Sequence, residues 1–430
     1  MNKAGAGRLV LGALALAGCG AKAAGGDGGA GEGGAFPALL SLDVTASLKT
    51  PMPPAPTLAL PDTSTFSLTL DAANKVIVAG GSARPVTTDA RTFFSASSFD
   101  VARASPGCMG LDSIRYDRLD FTVTGTSLAG HATGAAIFLG PVGGSVGFTA
   151  DLTGGPDTTA PFLVLRSSVT PFDPFVNLTM ATSEPLPQGA RARLVGVDGS
   201  SFDMIPSVTD GVIPVVSGFD LPDVVLPPGT AYSVVADGLV DFAGNSGAPD
   251  APLRLGAVAD APLAPEDGFE SVTSSTFGGA GVVRLSDLAP ISGDQSLYVG
   301  GVGTPGHDIY MQGPELLVRL AMQPGDTKLR FTFRTVSAAF DARVFDGTVR
   351  VGSPGGKRSD RYVTFQAPPS SATVKFDDGT TVAIGGDQML EVSLPPDAHD
   401  VVVVAIAARD QGCGAPSPAV GMIVDDMRLE

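Results

Sequence analysis

The sequence predicts an all-β chain built of three tandem β-sandwich-type domains, and three observations carry that prediction. Of its 430 residues 56 are Gly and 35 are Pro, so a helix breaker falls at about one position in five and long helices have little room. Apolar residues make up 43% of the chain and fall in short runs that alternate with polar ones, the signature of half-buried strands. At about 100 to 200 residues per domain the length predicts two to four folded units, with three the middle value.

The chain opens on Lys3 and Arg8, then the apolar run Leu9 to Ala17, with Leu16-Ala17-Gly18 small enough for a peptidase to grip before Cys19. The run is too short to cross a bilayer and reads as a secretory signal. Leu16-Ala17-Gly18-Cys19 resembles the lipobox of bacterial lipoproteins. That resemblance implies removal of residues 1–18 as a signal peptide and a covalent lipid on Cys19, palmitate among its acyl chains, with the lipid as the membrane anchor. Gly20 stands where the enteric type of sorting uses Asp for inner-membrane retention. The expected address is therefore the outer membrane of the cell envelope, facing periplasm or surface. Residues 19–35 hold the lipidated Cys and the stretch GAKAAGGDGGAGEGGA, a flexible tether with a reach on the order of 20 Å.

The first folded region is expected over 36–155. Thr65 to Leu70 places Phe66, Leu68 and Leu70 on one face, and Leu119, Phe121 and Val123 repeat that period. Val76-Ile77-Val78, Ala135 to Gly140 and Val146 to Leu152 continue a meander, and no family resemblance attaches to it. The second region, 156–257, opens at Pro156-Asp157-Thr158-Thr159-Ala160-Pro161. Its strands are expected at Phe162 to Leu165, Val176 to Met180, Arg193 to Val197, Val212 to Val216 and Tyr232 to Val235. Through Ser183-Glu184-Pro185-Leu186, Pro228-Gly229-Thr230 with Tyr232, and Asp241 with Gly244-Asn245, this region resembles the bacterial Ig-like domains of surface and secreted proteins. It departs from them at Ala181-Thr182, where a Phe is common. In that family the last two motifs are turns before the penultimate and final strands. Asp241 is then a structural turn residue accepting backbone N–H bonds, or a metal ligand.

The third region, 265–430, carries an alternating strand at Leu329-Phe331-Phe333, a hairpin signal at Asp378-Gly379 and a doubly apolar central strand over Val401 to Ala408. Asp267-Gly268-Phe269-Glu270, Gly293-Asp294-Gln295-Ser296-Leu297 and Met422 to Leu429 make it similar to a jelly-roll module of the galactose- or carbohydrate-binding type. Such modules open on a Gly-Phe-Glu-like strand and close on an Ile-x-Asp-Asp strand beside it. They often hold a structural calcium where those strands meet. The matching positions are Glu270 and Asp425, with Asp267, Asp294 and Asp426 near in motif. Calcium takes about six to eight oxygen ligands; the alternative is that these acids are solvated strand ends.

The formal charge of -17 speaks against partners gripped through phosphates, which need clustered Lys and Arg, so nucleic acid is not an expected partner. With Cys19 acylated, Cys108 and Cys413 remain in an oxidising compartment, either as a disulfide or as two separate thiols. His131, His307 and His399 are the only histidines and lack zinc-site spacing. There is no Trp to build a sugar platform; Tyr298, Tyr310 and Tyr362 of the last region are candidates for one, or pack at core and rim. Together these features predict a lipid-anchored envelope protein acting as a surface binding or structural module without catalysis, with an envelope glycan or protein as partner. The alternative is an extracytoplasmic hydrolase accessory or degenerate enzyme, its active domain being the first region.

Overall fold

Segments that alternate apolar and polar side chains must cover one face, and this chain does so with strands alone. The computed structural model describes residues 39–50, 60–80, 82–90, 93–102, 110–139, 144–165, 174–209, 213–247, 253–272, 283–286, 289–301, 315–337, 344–366, 372–375, 381–410 and 420–430. No helix occurs among them, as the all-β prediction requires. Cys19, Cys108, Cys413, His307, Tyr310, the tether and Asp378-Gly379 lie outside the described residues.

The first region is a closed barrel, where a sandwich was expected. Its strands are β1 (Leu40–Lys49), β2 (Thr63–Asp71), β3 (Val76–Ala79), β4 (Ser82–Ala90), β5 (Phe93–Ala102), β6 (Gly110–Thr124), β7 (Ser127–Leu139) and β8 (Gly144–Pro156). Each pairs with the next, and β1 pairs with both β2 and β8. A meander with one apolar face can cover that face by rolling up, which also removes both exposed edges. Leu42, Val44 and Ala46 of β1 point inward while Thr45, Ser47 and Lys49 point out. Phe66, Phe99, Tyr116 and Phe148 fill the interior with ring centroids 5.1 to 5.5 Å apart. The outward positions Arg115, Asp117, Arg118, His131, Thr133, Thr149 and Thr153 are exposed. A polar girdle of this kind faces water, whereas a membrane-spanning barrel carries an apolar outer band.

The tight roll has one sequence consequence. A Cβ on Gly134 of β7 would lie 2.1 Å from the Arg115 carbonyl oxygen and 2.8 Å from the Phe148 ring. Gly134→Ala should therefore force the β6–β7 ladder apart and destabilise the barrel by about 1–3 kcal/mol. Urea unfolding followed by Tyr fluorescence would read this as a lower midpoint, and an unchanged midpoint would contradict the packing.

The second region is a sandwich of two four-stranded sheets. The strands are β9 (Leu163–Leu165), β10 (Thr179–Pro187), β11 (Arg191–Gly196), β12 (Ser201–Asp203), β13 (Ile205–Thr209), β14 (Val215–Asp220), β15 (Ala231–Asp237) and β16 (Leu253–Ala257). One sheet runs β13-β14-β10-β9 and the other β12-β11-β15-β16. Met180, Leu186, Leu194, Phe219, Tyr232 and Val234 meet between them. The strand expected over Val176 to Met180 begins only at Thr179; Val176 and Leu178 still pack on the sandwich core, while Phe175 ahead of them turns into a separate cluster.

The third region is also two sheets. Its strands are β17 (Val283–Ser286), β18 (Ser296–Gly301), β19 (Glu315–Ala321), β20 (Lys328–Ser337), β21 (Val344–Gly352), β22 (Arg358–Gln366), β23 (Ala372–Lys375), β24 (Thr381–Ile384), β25 (Gln388–Ser393), β26 (Val401–Asp410) and β27 (Val420–Leu429). The larger sheet runs β17-β18-β27-β20-β24-β23, with β25 also on β20, and the smaller β19-β26-β21-β22. β26, apolar on both faces, is central as its sequence demands. The Gly268-Phe269-Glu270 stretch is not a strand: Gly268 and Phe269 have φ of 68° and 78°, left-handed values that turn the chain. The closing strand β27 lies instead between β18 and β20.

Phe175, just ahead of β10, explains why β26 is buried twice. It is fully buried with Val225, Ala261, Leu317, Val403 and Ala405, an apolar cluster between the second region and the outer face of the smaller sheet. Its carbonyl accepts bonds from Arg350 Nη1 at 3.2 Å and Arg358 Nη1 at 2.8 Å, and Arg358 Nη2 also reaches Asn177 Oδ1 and Asp223 Oδ1. Backbone pairing of Val225 with Gly355 and Gly356 completes the joint.

Candidate functional site: the carboxyl joint of barrel and middle sandwich

Three buried carboxyl groups meet where the barrel hands over to the middle sandwich. Asp157 lies in the linker just past β8, Glu184 on β10, and Asp241 in the turn after β15. They are 6%, 6% and 3% exposed, and one oxygen of each lies within 4.8 Å of the others. Chain geometry puts them there. The Asp241 turn closes as its sequence predicts, with Gly244 at φ 89° and the Asn245 N–H and amide Nδ2 both donating to the Asp241 carboxylate at 2.8 Å. Asn245 Nδ2 also reaches the Asp157 carbonyl at 3.2 Å, tying the turn to the linker. On the barrel side Ser41 Oγ donates to Asp157 Oδ2 at 2.7 Å, while Asp43 of β1 accepts the Thr158 N–H at 3.1 Å and the Thr159 hydroxyl at 3.0 Å.

The charges acting on Glu184 in this joint all have one sign. Burial pushes the Glu184 carboxyl up to about 8, with the charges of Asp157, Asp241 and Asp43 adding to it and a hydrogen bond from Ser67 opposing it. Asp157 is also raised, first by burial and then by Asp43 and Asp241, against the bond from Ser41. At neutral pH Glu184 therefore keeps its proton, the ordinary way for a buried acid to avoid ionisation where, among the described residues, no cation pairs with it.

Beside the joint is a half-open cleft of about 300 Å³. The barrel contributes Thr65, Phe66 and Ser67 to its wall, and the β10 and β14 side contributes Thr182, Glu184 and Ser217. Hydroxyl side chains and the Glu184 carboxyl thus share its lining with the apolar Phe66, Val101, Met180 and Pro185.

The acids singled out from sequence in the third region gather differently. Asp425 is fully buried. Its Oδ2 accepts Ser292 N–H at 3.0 Å, Ser292 Oγ at 3.0 Å and Ser296 Oγ at 2.8 Å, and its Oδ1 accepts Asp426 N–H at 2.8 Å. Asp426 takes a second bond from Ser292 Oγ. Glu270 accepts the N–H groups of Asp294 and Gln295, so Asp294 enters through its backbone, and Asp267 is exposed. Ser292 to Gln295 thus clasp both Glu270 and Asp425 with N–H and hydroxyl donors. Tyr298 is buried with Val336, Ile384 and Ile423, and Tyr362 is exposed on β22. His131 and His399 are exposed, His131 beside Asp151 at 2.9 Å.

Sequence patterning missed the carboxyl joint, although one signal was present. Glu184 sits on the same strand period as the core residues Met180 and Leu186, and a carboxyl at a core position marks a special environment. Gly143-Gly144-Ser145-Val146-Gly147 has the spacing of a hydrolase nucleophile elbow. Ser145, however, is an exposed residue near the start of β8, paired with Ile137 of β7, and not at a strand-to-helix turn.

No protein-family model matches the sequence, and no curated protein matches it. Among solved structures it is similar to carbohydrate-binding modules of the β-sandwich superfamily, at 15% identity and TM-score 0.25 over 64% of this chain and 100% of that one. A module of family 61 bound to β-1,4-galactotriose matches at 12% identity and TM-score 0.25, over 39% of this chain and 97% of that one. A non-crystalline-cellulose-specific module of family 28 matches at 13% and 0.27, over 39% and 94%. The all-β architecture rests on the strands described above.

Proposed function

We propose that this chain is a lipid-anchored cell-envelope protein that acts as a binding or structural module rather than a catalyst. In this reading Cys19 carries the lipid, residues 20–35 are the tether, the middle sandwich is Ig-like and the last is a jelly-roll module directed at an envelope glycan or protein. The observation that supports it is the Phe175 joint. An apolar cluster, two arginines and paired backbone lock the second and third regions together, as suits a spacer that presents its distal end at a fixed angle. The barrel, which the hydrolase alternative would use, is packed with Phe66, Phe99, Tyr116 and Phe148. One calcium near Glu270, Asp425 and Asp426 belongs to the same proposal, with Asp267 and Asp294 beside it. Among the described residues, however, no three of these acids bring carboxylate oxygens within 4.8 Å of one another. Any ion there would lean on backbone carbonyls, which calcium accepts.

Cys19→Ala should abolish labelling by an alkyne fatty acid and move the chain out of the membrane fraction. The purified chain should then bind isolated envelope polysaccharide in a pull-down and turn over none of a panel of ester, peptide and glycoside substrates. Retention of the lipid label by Cys19→Ala would refute the anchor, and turnover would refute the binding-module reading.

A further inference from the structure

The linker from barrel to middle sandwich is held almost wholly through carboxyl groups. Asp43 fixes Thr158 and Thr159, Asp157 is held by Ser41, and Asn245 bridges Asp157 to Asp241. Asp157 N–H donates to the Ser41 carbonyl at 3.3 Å. Glu184 lies at the centre of this arrangement and also on the wall of the cleft between the two regions. The charged groups acting on it are Asp43 from β1, Asp157 from the linker and Asp241 from the turn after β15, all acids; β2 offers it the neutral Ser67. A fourth negative charge placed there has its nearest escape toward the cleft, where water can reach it once the walls part.

We propose that the joint between barrel and middle sandwich is a proton-operated latch, shut beside the cleft while Glu184 is protonated and loosened when Glu184 ionises among Asp43, Asp157 and Asp241. The raised affinity of Glu184 for its proton, to about 8, sets the window. The folded form holds this proton more tightly than a free Glu does. Stability of the joint is therefore full in acid, declines as pH rises above the free value, and levels off once the folded group has ionised near 8. Neutral and acidic surroundings keep the latch shut, and alkaline surroundings open it.

Hydrogen exchange of the full chain, corrected for the intrinsic pH dependence of exchange and read on the peptide covering 156–162, tests this. Protection of that peptide in the wild type should fall by about tenfold between about pH 7 and 9, while peptides of the barrel core keep theirs. Glu184→Gln, which imitates the protonated side chain, should stay protected throughout. Asp43→Asn removes one repelling charge, so Glu184 ionises at lower pH and the midpoint should shift downward from that of the wild type, with a smaller loss of protection. Parallel loss of protection in wild type and Glu184→Gln would overturn the proposal. So would recovery of wild-type protection at alkaline pH on adding calcium chloride, which would show that the acids grip a cation instead of sensing protons.

Discussion

Replacing Phe175 by Ala should separate the second and third regions into independently melting units. The side chain is fully exchanged from water into the cluster of Val225, Ala261, Leu317, Val403 and Ala405. Truncating a buried Phe costs about 3–5 kcal/mol, part of it lost transfer energy and part the cavity left behind. At this position the loss falls on a joint rather than within one sandwich, since both sandwich interiors, around Met180 and Phe219 and around Phe331 and Val404, lie elsewhere. Calorimetry of wild type should show the two sandwiches unfolding in one transition, and Phe175→Ala should split it in two. Arg358→Ala should split it less: it removes the bonds to Phe175, Asn177 and Asp223 but leaves Arg350 on the same carbonyl. A single unshifted transition in Phe175→Ala would mean that this cluster does not hold the regions together.

The strand content was legible because period-two alternation is local. Phe66, Leu68 and Leu70 on β2 and Leu119, Phe121 and Val123 on β6 all face inward, as their spacing requires. Closure of the barrel was not legible, because it depends on β1 finding β8, a pairing between the two ends of the region that no local pattern encodes. The Asp241 turn could be read from its own residues, since its hydrogen bonds close within five positions of the chain. Its partners Glu184 and Asp157 could not, since they come from another strand and another connection and meet only through packing. The Gly268-Phe269 turn shows the opposite failure. There a motif that implies a strand by resemblance carries two left-handed residues, and a buried Phe accepts that conformation because its ring joins the core of the third region.

The second large effect is expected at Asp425. Its carboxylate is fully buried and accepts four bonds, from the Ser292 N–H and hydroxyl, the Ser296 hydroxyl and the Asp426 N–H. Asp425→Ala strands the fully buried Ser296 hydroxyl and takes the acceptor from the half-buried Ser292 and Asp426 donors, and each buried unsatisfied group costs about 1–3 kcal/mol. The loss should be about 2–4 kcal/mol and fall within the third region, where Phe175→Ala acts on the joint. Asp425→Asn should cost less, because its one carbonyl oxygen can still serve the Ser292 and Ser296 hydroxyls, while its amide must face a donor. Comparing the two variants with and without a chelator separates the anchor role from the calcium proposed beside it. If the carboxylate acts through its hydrogen bonds alone, chelator leaves the melting temperature of wild type and Asp425→Asn alike unchanged. A bound calcium instead makes wild type chelator-sensitive and Asp425→Asn insensitive, because the ion loses the charge that the amide cannot supply. Glu270→Gln provides the second check. Its carboxylate is clasped by the Asp294 and Gln295 N–H groups, so a neutral amide oxygen there should preserve the fold yet remove the calcium response.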